Sequence, residues 1–522
     1  MQKVEQLSHN GDAETLKNIR RGIERESLRV NPDAKLATTV HPAPLGSPLT
    51  HSFITTDFAE AMLEFITPAK SDAHESLELL ADIHRFTYRH LDRELLWPIS
   101  MPCRIEDEDR VILAQYGNSA LGKQKTDYRV GLKRRYGSIM QLISGVHYNF
   151  SIPEEFWPVL QAIRQDNRPL QEFISESYFG LIRNVLRYGW ILLYLFGASP
   201  VVDETFPQNS RRNVSLIPSG RKSWYLPQAT SLRMSDLGYS SALQDHFSIS
   251  YNSLNEFIRD LRNATKNNGD NLYTLQQESE LYEAIRPKRV VPAEEQLSDA
   301  LEKKGVQYVE IRCLDVNPYS ATGIDLEQIR FLDTFLTYCL IKESPAMSKK
   351  EYQTAKQNQK NVAMRGRNTS LILQDGNHRR TLENWARELV SEAGHVASLL
   401  DLATTGQEHQ DALGAQVAKI NNPSLTPSAR ILQDMRAGGF EMTELALVLS
   451  HMHREQLLGT PYTHLTEGDF LMEALKSKTR QMDLESAKPA TPHKTLKRAC
   501  TASQIFSSTA PLPNAHCTGT CC

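Results

Sequence analysis

Four short stretches of the chain set apolar residues against acids, amides or bases at alternate positions. They are residues 22–29 (GIERESLR), 62–67 (MLEFIT), 145–151 (GVHYNFS) and 308–315 (YVEIRCLD). In a strand, successive side chains point to opposite faces. Glu24 and Glu26 then share a face, as do His147 and Asn149, and Glu310 and Arg312. Val146, Tyr148, Phe150, Val309 and Ile311 turn the other way, into a core. Joined in one sheet, such strands present a concentrated carboxylate face with a histidine and an arginine. That is what binding several Mg²⁺ ions and a polyphosphate requires.

With 522 residues, the chain is long enough for a large core and, by length alone, for two or three domains. Hydrophobic residues at 40% and charged residues at 23% describe an ordinary soluble globular protein. A net charge of -3 gives no electrostatic reason to expect nucleic-acid or acidic-membrane partners. The first ten residues lack the apolar stretch of a secretory signal. The most apolar run, 189–198, falls short of the roughly 20 residues that span a bilayer; it reads as a buried helix end or core segment. Of seven cysteines, Cys103, Cys313 and Cys339 sit in apolar company and four lie in the last 23 residues. No disulfide framework is suggested, so a reducing cytoplasm is expected.

Residues 1–325 mix strand and helix signals. Helices are expected over about 71–95, opened by Ser71 and Asp72, and over 171–196; loops are expected over 207–220 and 263–271. From about 325 the periodicity turns helical, so 326–485 is expected to be a mainly helical region packed on the same domain. Residues 486–522 carry little periodicity and are expected to lack fixed structure.

A bland reading stands beside each chemical one. Any single polar strand face is most simply a solvated surface; four of them backed by aromatic and branched residues weaken that reading. Glu24, Glu26 and Glu64, with Asp57 just upstream, would repel one another unless a cation sat between them. His147 reads as a structural histidine or as a nucleotide or metal contact. Arg312 either neutralises Glu310 or stabilises a transferring phosphoryl group. Residues 286–289 (RPKR) are a short basic group without interleaved aromatics, read as a surface turn or a phosphate contact. His451 and His453 read as surface. Walker A, Rossmann glycine, CxxC and GxSxG motifs are absent. Phosphate would therefore be held by metals and by Arg or Lys.

At these residues the chain resembles the proteobacterial-type glutamate–cysteine ligases. The likeness rests on residues 21–30, 45–51, 54–68, 142–151, 229–239 (ATSLRMSDLGY), 285–289 and 308–318 (YVEIRCLDVNP). It implies an α+β, glutamine-synthetase-like fold: a curved, mainly antiparallel sheet forming a funnel, with helices packed outside. It also implies ATP-dependent joining of the γ-carboxyl of L-glutamate to the amine of L-cysteine through γ-glutamyl phosphate, the first step of glutathione synthesis. By motif, Glu24, Glu26, Asp57, Glu64, His147 and Glu310 correspond to the metal set, with His147 also near nucleotide. Arg312 corresponds to the phosphoryl-transfer arginine, with Glu310 beside it. Arg129 would pair with a substrate carboxylate, and Tyr128, Gln141, Arg233, Tyr239 and Tyr282 would shape the cysteine pocket. Mg²⁺ or Mn²⁺, ATP as co-substrate, inhibition by glutathione, a monomer and a cytoplasmic location are implied too. Three alternatives remain open on the sequence: a ligase for another amine, a non-catalytic sensor and a metal-dependent phosphohydrolase.

Overall fold

The computed structural model describes residues 2–9, 11–209, 215–238, 248–266, 274–291 and 295–487. In chain order the strands are β1 (Arg20–Val30), β2 (Ile54–Thr56), β3 (Met62–Ile66), β4 (Leu95–Leu96), β5 (Val146–Ser151), β6 (Val201–Asp203), β7 (Ile217–Ser219), β8 (Ser223–Tyr225), β9 (Ile285–Lys288), β10 (Tyr308–Leu314), β11 (Ile372–Asp375) and β12 (His378–Thr381). The principal sheet has the order β2-β3-β1-β5-β10-β9, with β4 also pairing to β1. Every pairing in it is antiparallel, and helices lie around it, so the fold is α+β.

The register follows from alternation. Tyr148 and Phe150 on β5 pair with Ile311 and Val309 on β10, so apolar residues stack on the core face. β1 puts arginines there as well. Arg21 meets Asp333 at 3.0 Å, and the Tyr148 hydroxyl donates to the same carboxylate at 2.7 Å. Arg29 pairs with Glu94 at 2.6 Å. Arg25 lies 2.7 Å from Nε2 of His84, whose Nδ1 is 2.7 Å from the carbonyl of Leu80. Burial, then the charge of Arg25, holds His84 well below its ordinary range, so the neutral ring accepts from the guanidinium.

The helix expected over 71–95 runs Ala73–His90, capped by Asp72, which accepts from His74 N at 2.7 Å. It ends early because Leu91 is extended and Leu95–Leu96 pair with β1. The helix expected over 171–196 divides at Gly189 into Leu170–Tyr188 and Trp190–Phe196, the second entirely buried. Two expected loops are partly regular. Thr205–Asn209 is helical and Ile217–Ser219 forms β7. Leu254–Thr265 is a helix capped by Ser253, because Phe257, Ile258 and Leu261 supply a buried stripe that continues past Asn263. Residues 210–214 and 267–273 lie outside the described residues.

Beyond residue 325 come the helices Leu326–Ile341, Lys349–Arg365, Leu382–Thr404, Glu408–Asn421, Pro427–Gly438, Met442–Leu458 and Glu467–Ser486, with the β11–β12 hairpin among them. One contiguous hydrophobic core runs from Val4 to Phe470. His453 is buried rather than on the surface, because its helix packs it inward, while His451 is exposed. The tail expected without fixed structure lies, from residue 488, outside the described residues. Cys103, Cys313 and Cys339 are buried thiols. Among the described residues, no helix is long and apolar enough to cross a membrane.

Candidate active site

The sheet's second face gathers the polar side chains of all four stretches. Glu26 pairs across strands with Glu64, Glu24 with His147, and Glu310 with Asn149 on one side and Arg286 on the other. Directly opposed residues in an antiparallel pair share a face. Glu24, Glu26, His147, Asn149 and Glu310 are all buried, and Glu64 is half-buried.

Hydrogen bonds fix this set. Glu24 accepts from Asn149 Nδ2 at 3.0 Å and lies 3.0 Å from Nδ1 of His147. Glu26 accepts from the backbone N–H of Gly145 at 2.7 Å. His147 also approaches Glu26 and Glu310, at 3.8 Å each. Arg312 donates to Glu310 at 3.1 Å. A bulge in β10 between Ile311 and Leu314 places one extra residue opposite β5 at this point. Bulges of this kind re-aim side chains beside active sites.

The acids divide by environment. Burial, and then the charges of Glu24, Asp57 and Glu26, push the Glu64 carboxyl well above its ordinary range. Burial also raises Glu26, against the pull of His147. Glu310 goes the other way: burial is outweighed by Lys288, Arg312, His147 and Arg286, which hold it far below the usual carboxylate range. Arg312 is burdened by burial but kept charged by Glu310, Glu26 and Glu24.

The donor set suits a hard divalent cation. Ligand atoms of Glu24, Glu64 and His147 lie within 4.8 Å of one another. Asn149 Oδ1 and Glu310 Oε2 are buried without a hydrogen-bond partner. A cation among these oxygens would relieve the repulsion that raises Glu64.

Several of the other expected residues lie beside this face. Asp57 follows β2, and its carboxylate lies 3.9 Å from Nη2 of Arg129. Arg129 donates through Nε to the Asp57 carbonyl at 2.5 Å and through Nη1 to Lys125 O at 2.9 Å. Its Nε and Nη1 each carry one of these hydrogen bonds, while Nη2 has the longer contact to the Asp57 carboxylate. Arg233 donates to Arg312 O at 2.8 Å and faces Asp315 at 3.9 Å. Tyr282 donates to Met234 Sδ at 3.1 Å, and burial pushes its hydroxyl up to about 12. Burial, then Glu280, likewise pushes Tyr128 up to about 12. Gln141 ends the short Ser138–Gln141 helix, half-buried. Tyr239 lies outside the described residues.

Two residues lie elsewhere than the sequence suggests. Arg286 and Lys288 belong to β9 and are each 5% exposed, not part of a surface turn. Pro287 between them suggests a turn. It is tolerated because β9 is an edge strand, where one side of the backbone needs no partner. The signal that could have found them is the i, i+2 spacing of the two cations.

The sequence model described as glutamate–cysteine ligase matches residues 4–362. The chain is 44% identical over 478 residues to the glutamate–cysteine ligase of Alcanivorax borkumensis, covering 88% of this chain and 91% of that one. It is 45% identical over 488 residues to that of Yersinia enterocolitica, covering 90% and 93%. Among solved structures, the glutamate–cysteine ligase of Francisella tularensis in complex with AMP superposes with a TM-score of 0.83 at 33% identity, covering 92% of this chain and 96% of that one.

Proposed function

The chain belongs to the glutamate–cysteine ligase family, and from that premise we infer that it joins the γ-carboxyl of L-glutamate to the amine of L-cysteine using ATP, as the first step of glutathione synthesis. The observation that carries this reading is the single buried sheet face on which Glu24, Glu26, Glu64, His147, Glu310 and Arg312 converge.

A carboxylate is a poor electrophile, so the reaction must first phosphorylate it to γ-glutamyl phosphate. The deprotonated cysteine amine then attacks the acyl carbon and phosphate leaves. Glu24, Glu26, Glu64, Asp57, His147 and Glu310 are the residues that would hold Mg²⁺ or Mn²⁺. Bound there, the metal would offset phosphate charge and polarise the transferring group. Arg312, kept charged by three carboxylates, stands ready to stabilise negative charge on the phosphoryl oxygens. Its guanidinium is held in place by Glu310. Arg129 presents Nη2 to a substrate carboxylate beside Asp57. Arg233 and Tyr282 flank Arg312 and are suited to bounding the cysteine pocket with Tyr128, Gln141 and Tyr239. Residues 1–325 carry this chemistry, and the helices of 326–485 back it. A cytoplasmic monomer inhibited by glutathione, which carries both amino-acid moieties, completes the reading.

The test is phosphate release from ATP with Mg²⁺ and glutamate, with and without cysteine. Release that needs both amino acids and yields γ-glutamylcysteine is expected. Arg312→Ala should reduce it about 10³-fold or more, and Glu64→Ala should abolish it. Release indifferent to cysteine would point to another amine acceptor, and release without any amino acid to a phosphohydrolase.

A further inference from the structure

Residues 308–318 supply Glu310 and Arg312 to the site, and one more acid, Asp315, to which the reaction gives no part. Asp315 follows β10 directly and is buried. Both of its oxygens are taken. Oδ2 accepts from the backbone N–H of Ala198 at 2.8 Å and from the Ser199 hydroxyl at 2.7 Å, and Oδ1 accepts from the Ser231 hydroxyl at 2.9 Å. Ser199 and Ser231 pair as an isolated parallel bridge, so the carboxylate joins two chain segments that run side by side. A hydroxyl has one proton, and once a carboxylate takes it the oxygen is left to accept in turn. Ser199 Oγ accepts from the backbone N–H of Arg233 at 3.3 Å, and Ser231 Oγ from that of Met234 at 3.2 Å. Two relays thus run from one carboxylate to two consecutive residues.

Those two residues tie one side of the site together. Arg233 donates through Nη2 to Arg312 O at 2.8 Å and through Nη1 to Met234 Sδ at 3.3 Å, and the same sulfur accepts from the Tyr282 hydroxyl at 3.1 Å. Asp315 Oδ1 also stands 3.9 Å from Arg233 Nη1, facing its charge. We propose that Asp315 is a positioning residue for the amine-acceptor pocket. It orients the Ser199 and Ser231 hydroxyls, and through them sets Arg233 and Met234 against Arg312 and Tyr282. This rests on the reading of Arg233 and Tyr282 as bounds of the cysteine pocket. An asparagine could not do the same. Its amide offers one acceptor oxygen where the carboxylate offers two. Whichever way it turned, its NH2 would meet a group that now donates, either Ser231 or both Ser199 and the N–H of Ala198. At least one relay would reverse, and a buried donor set against a donor is costly.

The experiment is steady-state kinetics of full-length Asp315→Asn, with ATP, glutamate and cysteine varied in turn. KM for cysteine is expected to rise about tenfold, while KM for ATP and for glutamate stays within about twofold. Ser199→Ala cuts one relay and leaves the bonds of Asp315 to Ala198 and Ser231. It should raise KM for cysteine about three- to fivefold, and it decides the matter should Asp315→Asn fail to fold. In an Arg233→Met background, Asp315→Asn should add no more than about twofold, because most of what it positions has gone. Equal rises in all three KM values, an unchanged KM for cysteine, or the full tenfold added on top of Arg233→Met would overturn the proposal, since each marks a carboxylate that only stabilises the fold. The wild type's own need for cysteine tests the ligase reading alone. Should another amine serve, the same comparison is made on that amine, so the positioning role and the choice of acceptor stand or fall separately.

Discussion

Gly145 has no room for a side chain. A Cβ there would lie 2.1 Å from Nη2 and 2.6 Å from Cζ of Arg233, inside any tolerable contact. The same residue's N–H holds Glu26. A Gly145→Ala substitution keeps that N–H but displaces the guanidinium, and Arg233 can move only by leaving Arg312 O. The expected result is a loss of about tenfold to a hundredfold in kcat/KM for cysteine, with KM for ATP nearly unchanged. Steady-state kinetics varying each substrate in turn check it. At this scale much is legible in the sequence. Alternation in residues 22–29, 145–151 and 308–315 by itself puts Glu24, Glu26, His147, Asn149, Glu310 and Arg312 on shared faces. What alternation does not encode is which strands are neighbours and where a guanidinium ends. The contacts of Arg129 with Asp57, the approach of Arg233 to Gly145 and the inward Lys288 are tertiary facts. Pro287 masks the last by imitating a turn.

Among the elements, β2 depends on an unusual turn. His51 Nδ1 accepts from the backbone N–H groups of both Phe53 and Ile54, at 3.1 and 3.0 Å, and so fixes the chain's entry into β2 and on to Asp57. Burial, against the attraction of Glu473, lowers its pKa from 6.5 to about 4. The unfolded chain therefore binds the proton more readily than the folded one. Stability is fully present above about pH 6.5 and falls as the pH drops toward 4, by up to about 3 kcal/mol from this residue. Melting temperature measured from pH 7 to pH 4 should decline. The decline should be shallower in His51→Asn, whose side-chain oxygen accepts the same N–H groups without titrating in this window. The strands β1, β3, β5 and β10 are visible in the sequence, whereas β4, β7 and β9 lie where a helix, a loop and a turn are expected. Helix ends are not visible, because Leu95–Leu96 and Gly189 interrupt apolar stripes for reasons of pairing and backbone that periodicity ignores.

For the whole molecule, the helix Glu467–Ser486 is what closes the structure. Ser477 Oγ accepts from Ser47 N at 2.9 Å, Glu473 accepts from Ser52 Oγ at 2.7 Å, and Glu485 accepts from Asn118 N at 2.8 Å. Phe470 stacks on Phe86 with ring centroids 4.8 Å apart and meets Phe53 edge-on at 5.9 Å. Phe470→Ala should cost about 3–5 kcal/mol by opening this cluster, read as a lowered melting temperature. Activity should fall with it, because the braced segment leads directly to β2 and Asp57. The bond from Ser47 to Ser477 spans 430 residues. A ribosome adding about 5–20 residues per second takes roughly 20 to 90 seconds to cover that distance. For that interval the nascent sheet exists with its β2 edge unsecured. A chain interrupted before residue 467 would therefore carry most of the ligand set without the helix that braces the segment leading to β2 and Asp57.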